Sequence, residues 1–541
     1  MSSLLDRIRA ARQENVQPVQ SVKPVISNEQ EIMPVKTETV QVVKENLPES
    51  SKQDSSLSES LKKALLRFGY TEFRKGQEEA LVEILQGTKG VLVVFPTGLG
   101  KSILYQIPPL ITGKLTVVVS PLISLMRDQV AKLQKLGINA IFINSTVPIA
   151  DVKTALLEIQ TGGVSALYVA PERFNNPEFM KIMQGIEIDV FALDEVHCIS
   201  KCGNDFRPAY AELGGVIERL KPRQVVALTA TATPDVQDDV CRVLGIEGAR
   251  RFISGLHRKN LRFMMFEGLG SGKLPKMADV VTRFVKAGKK TGLVYSQTRK
   301  EAEEICEYFG KRGIPSDFYH AGLKDSERTR IQDKWTKEGG VIVATCAFGM
   351  GIDRADVRFV IHSGLSPSIE DAIQEFGRAG RDGEDASCIS FWDMGSDYRT
   401  QMFLIDLTNP SGEDVGKFWN WIRSEGRKVA GADAKRAELN MTQKVMGEVS
   451  RCVNVGGCIS ILKSEGLIST VARGKYEVVL DRDRKKDISA LDSIRQGKID
   501  KLNQIVNFYK CKECRVAFLC DYFGDMSFEG VCGVCDNCLR G

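Results

Sequence analysis

Short apolar runs alternate with amphipathic stretches along most of this chain. Runs at 91–94, 115–119, 140–143, 166–169, 190–193 and 225–228 are built from Val, Ile, Leu, Phe and Ala with almost no polar interruption. Runs this short and continuous read as strands buried on both faces, joined by helices. The rhythm implies a parallel sheet whose ligands sit at the carboxyl ends of its strands. A second series follows from about 256 to 394, with strands at 292–296, 317–320, 341–345 and 357–362 and helices at 298–310 and 325–335. Residues 395–431 then read as helical, with Trp419 and Trp421 packing against the preceding core. Between 439 and 480 a helix at 459–467 leads into strands at 468–471 and 476–480 around Arg473-Gly474-Lys475. Helices followed by a two-stranded ribbon with a basic tip look like a winged helix. Such a tip is placed to touch phosphate, and a purely structural hairpin is the alternative.

The first 56 residues break the rhythm. They are rich in Val, Gln, Glu, Ser and Pro, lack any aromatic residue and show no sustained period, so they read as a disordered tail. Leu4, Leu5, Ile8 and Arg9 have the spacing of a short amphipathic helix, a candidate docking peptide for a protein partner; a solvated tail is the plainer reading. Order begins near Leu57, where residues 58–66 take up a helical period.

Composition changes this picture little. The 541 residues allow about three to four domains, and 43% hydrophobic with 26% charged residues fits a soluble globular protein. A net charge of +5 is small for this length, so any basic groove is local. No run is long and apolar enough to span a membrane, and the N-terminus carries charge where a secretory signal needs an apolar core. Fourteen cysteines in such a chain suggest reduced thiols and a metal, not disulfides.

The first strand runs into Phe95-Pro96-Thr97-Gly98-Leu99-Gly100-Lys101-Ser102. Backbone N–H groups of a glycine-containing turn and a helix N-terminus make a phosphate cradle, lysine reaches the β/γ-phosphates, and the serine hydroxyl takes Mg²⁺. The full P-loop pattern has glycine where this chain has Phe95, so the match is to its shorter form. Upstream lies Phe68-Gly69-Tyr70-Thr71-Glu72-Phe73-Arg74-Lys75-Gly76-Gln77. A glutamine amide offers the donor and acceptor that the adenine edge needs, with Tyr70 and Arg74 as flat stacking faces; spacing alone leaves a helix-capping segment equally open. Asp194-Glu195 ends another strand. One carboxylate there can hold Mg²⁺ opposite Ser102 and the other can act as general base on the attacking water. His197, just beyond, is one of only four histidines. In the second series, Arg378 and Arg381 lie three apart within Gln374-Glu375-Phe376-Gly377-Arg378-Ala379-Gly380-Arg381-Asp382-Gly383, placed to face a γ-phosphate held by the other domain. At the far end, Cys532-x-x-Cys535-x-x-Cys538 with Cys514 upstream gives four thiolates, a tetrahedral Zn²⁺ set that leaves no open position and is therefore structural. Cys511 makes a further Cys-x-x-Cys with Cys514, so exchange of one ligand is open, and Cys520 reads as a buried helix residue.

These stretches, with Ser120-Pro121-Leu122-Ile123-Ser124-Leu125-Met126-Arg127-Asp128-Gln129, Ala170-Pro171-Glu172-Arg173, Asp205-Phe206-Arg207-Pro208, residues 228–234 and Ala347-Phe348-Gly349-Met350-Gly351-Ile352-Asp353, stand in an order that resembles superfamily 2 helicases, specifically the RecQ family. They cover roughly 60–390, and the cysteine-rich end with Tyr522-Phe523-Gly524 is similar to the family's zinc module. The resemblance implies an α/β chain of two RecA-like parallel-sheet domains (57–255, binding ATP, and 256–400). A helical linker and winged-helix-like segment (401–485) and a helical four-cysteine zinc-binding module (486–541) follow, and the tail (1–56) precedes them. It implies an ATP- and Mg²⁺-dependent motor that moves 3′ to 5′ along single-stranded DNA and unwinds tailed duplexes in repair or recombination. The expected form is a monomer in the cytoplasm on the nucleoid, or in the nucleus of a eukaryote. Carried over, Tyr70, Arg74 and Gln77 would bind adenine; Thr97, Gly98, Gly100, Lys101 and Ser102 the phosphates; Ser102 and Asp194 Mg²⁺. Glu195 would be the base, Arg378 and Arg381 would reach across, and His197, Phe206, Arg207, Thr229, Thr231 and Gln374 would couple DNA to hydrolysis.

The chain departs from the family at several points. Leu99 stands where a third glycine is usual, Lys201-Cys202-Gly203-Asn204 replaces an aromatic, histidine-rich DNA-sensing loop, and Asp353 replaces asparagine. The winged-helix-like segment precedes the cysteines instead of following them. Two rival readings are an RNA helicase of the same superfamily and a DNA-binding scaffold or remodeller with a weakly coupled ATPase.

Overall fold

The apolar runs pair as the alternating pattern requires. The computed structural model describes residues 53–540 apart from 88, 145–148, 201–206, 347, 350–353, 451, 453, 473 and 483–487. Strands β1 (Val91–Val94), β2 (Leu115–Val119), β3 (Ala140–Ile143), β4 (Ala166–Val169), β5 (Ile188–Leu193), β6 (Gln224–Thr229) and β7 (Arg250–Ile253) form one parallel sheet in the order β3-β4-β2-β5-β6-β1-β7. Every residue of β1, β2, β4, β5 and β6 is buried, because crossover helices cover both faces. A second parallel sheet holds β8 (Leu261–Glu267), β9 (Gly292–Tyr295), β10 (Ser316–Tyr319), β11 (Val341–Ala344), β12 (Phe359–His362) and β13 (Ala386–Trp392), in the order β10-β11-β9-β12-β13-β8. The chain thus has two parallel-sheet domains of the RecA-like kind.

Three strands of the parallel sheets escape the sequence pattern, each for a physical reason. β7 is an edge strand with Arg250 and Arg251 exposed. β8, also an edge, alternates buried Leu261, Phe263 and Met265 with outward side chains. β13 is buried throughout, but Ser387 and Ser390 interrupt its apolar run.

Helix α1 (Gln53–Arg67) starts four residues earlier than the tail boundary at 56 implies. Its first turn is polar and offers no apolar position for a period to register. Helix α2 (Gln77–Gln86) enters β1, and α3 (Ile369–Phe376) precedes the arginine-bearing turn. Beyond the second sheet come α4 (Ser396–Thr408) and α5 (Gly412–Ala430). Then β14 (Arg436–Asn440), α6 (Gln443–Ser450), α7 (Val455–Ser464), β15 (Ile468–Ala472) and β16 (Lys475–Val479) form a helical pair on an antiparallel sheet ordered β14-β16-β15. The ribbon expected from sequence is therefore three-stranded. The Trp419 reading is corrected as well. Val415, Phe418, Trp419 and Ile422 line one stripe of α5 and share a core with Leu439, Met446, Ile459 and Tyr476, with Trp421 packed at its edge. These residues belong to the winged unit, not to the motor core. Gly426 permits this close approach, since a Cβ there would lie 2.8 Å from Leu480 Cδ2.

Helix α8 (Ile488–Lys510) returns to pack beside α4. Tyr398 Oη donates to Asn503 Oδ1 (2.9 Å), and Arg495 Nη2 pairs with Asp406 Oδ1 (2.6 Å). The winged unit is thus inserted between two paired helices, and the helical support of the cysteine module draws on residues before 486. Helix α9 (Arg515–Phe523) and the short α10 (Asp536–Arg540) complete the chain. Leu502, Ile505, Phe508, Leu519 and Phe523 join the core beneath the second sheet with Phe263, Met265 and Phe376. Among the described residues no single helix is long and apolar enough to cross a membrane.

Candidate active site

Three adjacent strands, β5, β6 and β1, end at the same edge of the first sheet, so their carboxyl-end loops meet. The loop after β1 turns at Gly98 (φ +88°) and Gly100 (φ +74°), backbone that an L side chain resists. Leu99 between them keeps a negative φ. Its side chain points away from the phosphate side toward Gly255, where a Cβ would stand 2.1 Å from Leu99 Cδ1. The departure at this position therefore leaves the cradle open and fills space beside the interdomain linker.

Gln77, 3% exposed, is fully engaged. Its Oε1 accepts from Arg74 N–H (2.8 Å), and its Nε2 donates to Leu99 O (2.7 Å) and Gly100 O (3.2 Å). Arg74 Nη1 donates to Gly98 O. The amide expected to read adenine thus braces the phosphate loop in this structure, while Tyr70, half exposed, lines the cleft rim.

Lys101 Nζ donates to Phe95 O (3.0 Å). Desolvation pulls the ammonium below its ordinary pKa, against the raising effect of Glu195 and Asp194. Burial, with the charge of Glu195 beside it, pushes the Asp194 carboxyl well above the usual carboxylate range, and Lys101 opposes this. Two tyrosines that the pattern did not single out hold Asp194. Tyr210 Oη donates to its carbonyl (2.9 Å), and Tyr105 Oη lies 3.5 Å from Oδ2. Hard oxygen donors from Asp194 and Ser102, at the mouth of a phosphate cradle, fit Mg²⁺.

Glu195 sits at φ +49°, a left-handed conformation costly for a side chain of this size and typical of functional sites. Its N–H donates to Asp194 Oδ1 (3.1 Å). Its Oε2 has His197 Nδ1 at 3.4 Å. The same Nδ1 is 2.8 Å from Thr229 Oγ1, which is tied to Thr231 through its carbonyl and its N–H, each at 3.2 Å. A line of polar contacts therefore runs from Glu195 through His197 to the loop after β6. Arg207 Nη1 reaches Pro121 O (3.0 Å) at the tip of β2. Phe206 with the altered loop 201–204, Asp353 and the basic tip residue Arg473 lie outside the described residues.

The second domain closes on this face. A Cβ at Gly98 would be 3.2 Å from Arg381 Cγ, and one at Gly377 would be 2.1 Å from Thr97 Oγ1. The cleft of ≈ 870 Å³ is lined by Tyr70, Arg74, Gln77, Thr97, Lys101 and Ser102, by Asp194, Glu195, His197 and Arg207, and from the other domain by Gln374, Arg378 and Arg381. The arginine turn is braced by residues whose role no local pattern revealed. Arg258 donates to Gly377 O (3.2 Å) and Ala379 O (2.8 Å), and Asn260 Nδ2 to Gly380 O (2.8 Å). Their partners lie more than a hundred residues on. A methyl at 377 would hold the two domains apart, so Gly377→Ala is expected to lower turnover about 10²-fold, the scale of a 1 Å misplacement, measured as kcat at saturating nucleotide.

Cys514, Cys532, Cys535 and Cys538 bring their sulfurs within 4.8 Å of one another. Cys535 and Cys538 are 3.4 Å apart and Cys532 and Cys538 3.9 Å, near the ~3.8 Å edge of a ZnS₄ tetrahedron with Zn–S of about 2.3 Å. The donor set fits zinc. Cys511 is outside it. Its sulfur faces Arg515 Nη1 (3.6 Å) and Asn537 Nδ2 (3.8 Å), and burial raises its pKa to about 11. Cys520 is buried in α9, with its pKa raised to about 12 by desolvation.

Residues 74–240 match the family model for DEAD/DEAH box helicases, 273–383 that for the helicase conserved C-terminal domain, and 478–539 that for RecQ zinc-binding. ATP-dependent DNA helicase RecQ of Bacillus subtilis is 41% identical over 342 residues, 63% of this chain and 57% of its own length. The RecQ helicase of Haemophilus influenzae is 40% identical over 341 residues, covering 63% and 54%. The chain thus spans about half the length of these relatives. The probable ATP-dependent DNA helicase RecS of Bacillus subtilis is 32% identical over 477 residues, 87% of this chain and 90% of its own. Among solved structures, the DUF1998 helicase MrfA bound to DNA aligns with a TM-score of 0.52 at 15% identity over 80% of this chain and 60% of its own. Mss116p bound to single-stranded RNA and AMP-PNP gives 0.50 at 15% identity over 77% and 94%. At that identity the two structures speak to the fold alone.

Proposed function

The chain belongs to the RecQ family of DNA helicases, and from that premise we propose that it is an ATP-dependent motor that moves 3′ to 5′ on single-stranded DNA and unwinds tailed duplexes as a monomer, in repair or recombination. The observation that carries the reading is the shared cleft. Lys101, Asp194 and Glu195 come from one parallel-sheet domain and Arg378 and Arg381 from the other, Arg381 packed directly on the phosphate loop and Arg378 against Gly349 of its own domain. A γ-phosphate held there bridges two bodies, so its loss frees them to move relative to each other.

Within that cleft the backbone turn at Gly98–Gly100 and Lys101 hold the triphosphate. Asp194 and Ser102 would hold Mg²⁺, which supplies charge neutralisation at the phosphates. Glu195 orients and deprotonates the attacking water, and its contact with His197 links that proton acceptor to Thr229 and Thr231. Arg378 and Arg381 meet the charge that develops on the transferred group. The RecQ relatives and the zinc-binding match favour DNA over RNA as the track.

The test is ATP hydrolysis alone, with single-stranded DNA and with single-stranded RNA, followed by unwinding of a 3′-tailed duplex. Stimulation by DNA of at least about tenfold, with strand separation, is expected. Stimulation by RNA alone would overturn the track, and turnover indifferent to both would overturn the motor.

A further inference from the structure

Helix α3 presents Gln374 to the cleft and leads directly into the turn that carries Arg378 and Arg381. It is tied at both ends to the cysteine module. At the start, Glu370, 7% exposed, accepts from Lys501 Nζ of α8 at 2.9 Å. Tyr522 of α9 lies against the same carboxylate, and its hydroxyl donates to Gln504 Oε1 at 3.0 Å. At the far end, Glu375 Oε2 is 2.9 Å from His362 Nε2. The other nitrogen of that ring, Nδ1, is 3.3 Å from Tyr509 Oη of α8 and 3.1 Å from Ser366 Oγ. The His362 imidazole stacks on Phe376 with centroids 4.1 Å apart, and both His362 and Tyr509 are buried.

Nε2 lies at ion-pair distance from Glu375 without hydrogen-bond geometry, and the two hydroxyls of Tyr509 and Ser366 share Nδ1 on the other side of the ring. Burial raises the Tyr509 hydroxyl to about 12, so it keeps its proton, with Ser366 and Ser390 against it beside His362. The desolvation of such a buried pair offsets much of its attraction, so its presence alone says little about stability. The helix it orients is only two turns long. Any tilt is passed on to the two arginines.

We propose that Lys501, Tyr509 and His362 are positioning residues, through which the cysteine module sets the approach of Arg378 and Arg381 to the nucleotide. The inference rests on the motor reading above. It gives the module a part in hydrolysis besides its part in folding, one that acts through α3 and not through DNA.

The experiment is the combined variant Tyr509→Phe/Lys501→Met in the full chain. It deletes one hydroxyl and one charge and keeps the apolar packing of α8. Steady-state ATP turnover at saturating single-stranded DNA is measured with zinc content, thermal midpoint and hydrogen exchange of residues 369–383. The expected result is a kcat lower by about 10- to 100-fold, the scale of an ångström-sized misplacement, with KM for ATP within about twofold, zinc content unchanged, the chain fully folded at the assay temperature although its midpoint falls because buried Glu370 loses its partner, and exchange of 369–383 accelerated. Lys501→Arg with Tyr509 intact keeps wild-type kcat. An unchanged kcat beside an active wild type overturns this proposal alone. A fall in kcat that tracks zinc loss or melting also overturns it, and assigns the contacts to stability. A wild-type chain with no turnover removes the motor reading and this proposal with it.

Discussion

Glu195→Gln is expected to lower ATP turnover about 10²- to 10⁴-fold, the range for loss of a general base, while nucleotide binding survives. The substitution keeps the size of the side chain and removes its charge. The φ of +49° at this residue points the side chain into the cleft, and that backbone geometry does not depend on the carboxylate. Removing the charge also relieves repulsion with Asp194, whose carboxyl is raised by burial and by Glu195. The bound state therefore gains from the change while the chemical step loses its proton acceptor. Lys101→Ala separates the two effects. It deletes the cation that offsets Asp194 and Glu195 and, on the proposed role, the group that meets the phosphates, so affinity and turnover fall together. Nucleotide affinity by fluorescent-analogue titration, beside kcat for both variants, checks the pair. Equal loss of affinity in Glu195→Gln would mean that Glu195 holds the nucleotide and another group takes the proton.

The parts of this site that were legible in the sequence are local ones. Gly98-Leu99-Gly100-Lys101-Ser102 and Asp194-Glu195 carry their chemistry within a few residues, and each follows a continuous apolar run that had to be a buried strand. What the sequence hid depends on distant partners. Gln77 has the right groups for adenine, and only the folded chain shows that Arg74, Leu99 and Gly100 also engage its amide. Leu99 broke the glycine pattern, and the space beside Gly255 that accepts it belongs to the linker between domains. Arg258 and Asn260 hold the arginine turn from the other end of the second domain. Trp419 was assigned to the wrong core because a helical stripe says that a face is buried and not what covers it. The edge strands β7 and β8 were missed because an edge shows solvent-facing positions that break an apolar run.

Removing the metal from the cysteine cluster is expected to have the largest structural effect. Cys535→Ser, or chelation of the wild type, should abolish zinc binding and release the segment from about 511 to 540. So small a segment has little core of its own, and structural zinc in comparable peptides contributes on the order of 10–16 kcal/mol to folding. The loss does not stay local, because the cluster fixes three contacts with the motor. Asp536 accepts from Met265 N–H of β8 (3.0 Å) while paired with Arg515, whose Nη1 donates to Phe508 O (2.7 Å). Asp525 accepts from Leu256 N–H in the linker (3.3 Å), and Phe523 O accepts from Gln237 Nε2 of the first domain (3.2 Å). Arg515→Ala provides the scale. Breaking that buried pair alone costs about 3–5 kcal/mol with all four thiolates in place. Zinc-free chain should therefore melt below Arg515→Ala, and both below wild type, with proteolysis opening first within 511–540. Cys511→Ser keeps full zinc content, since its sulfur faces Arg515 and Asn537 instead of the cluster. A stoichiometric loss of zinc in Cys511→Ser would move it into the ligand set. A zinc-free chain with an unchanged melt would mean that the apolar contacts of Leu519 and Phe523 hold the module without the metal.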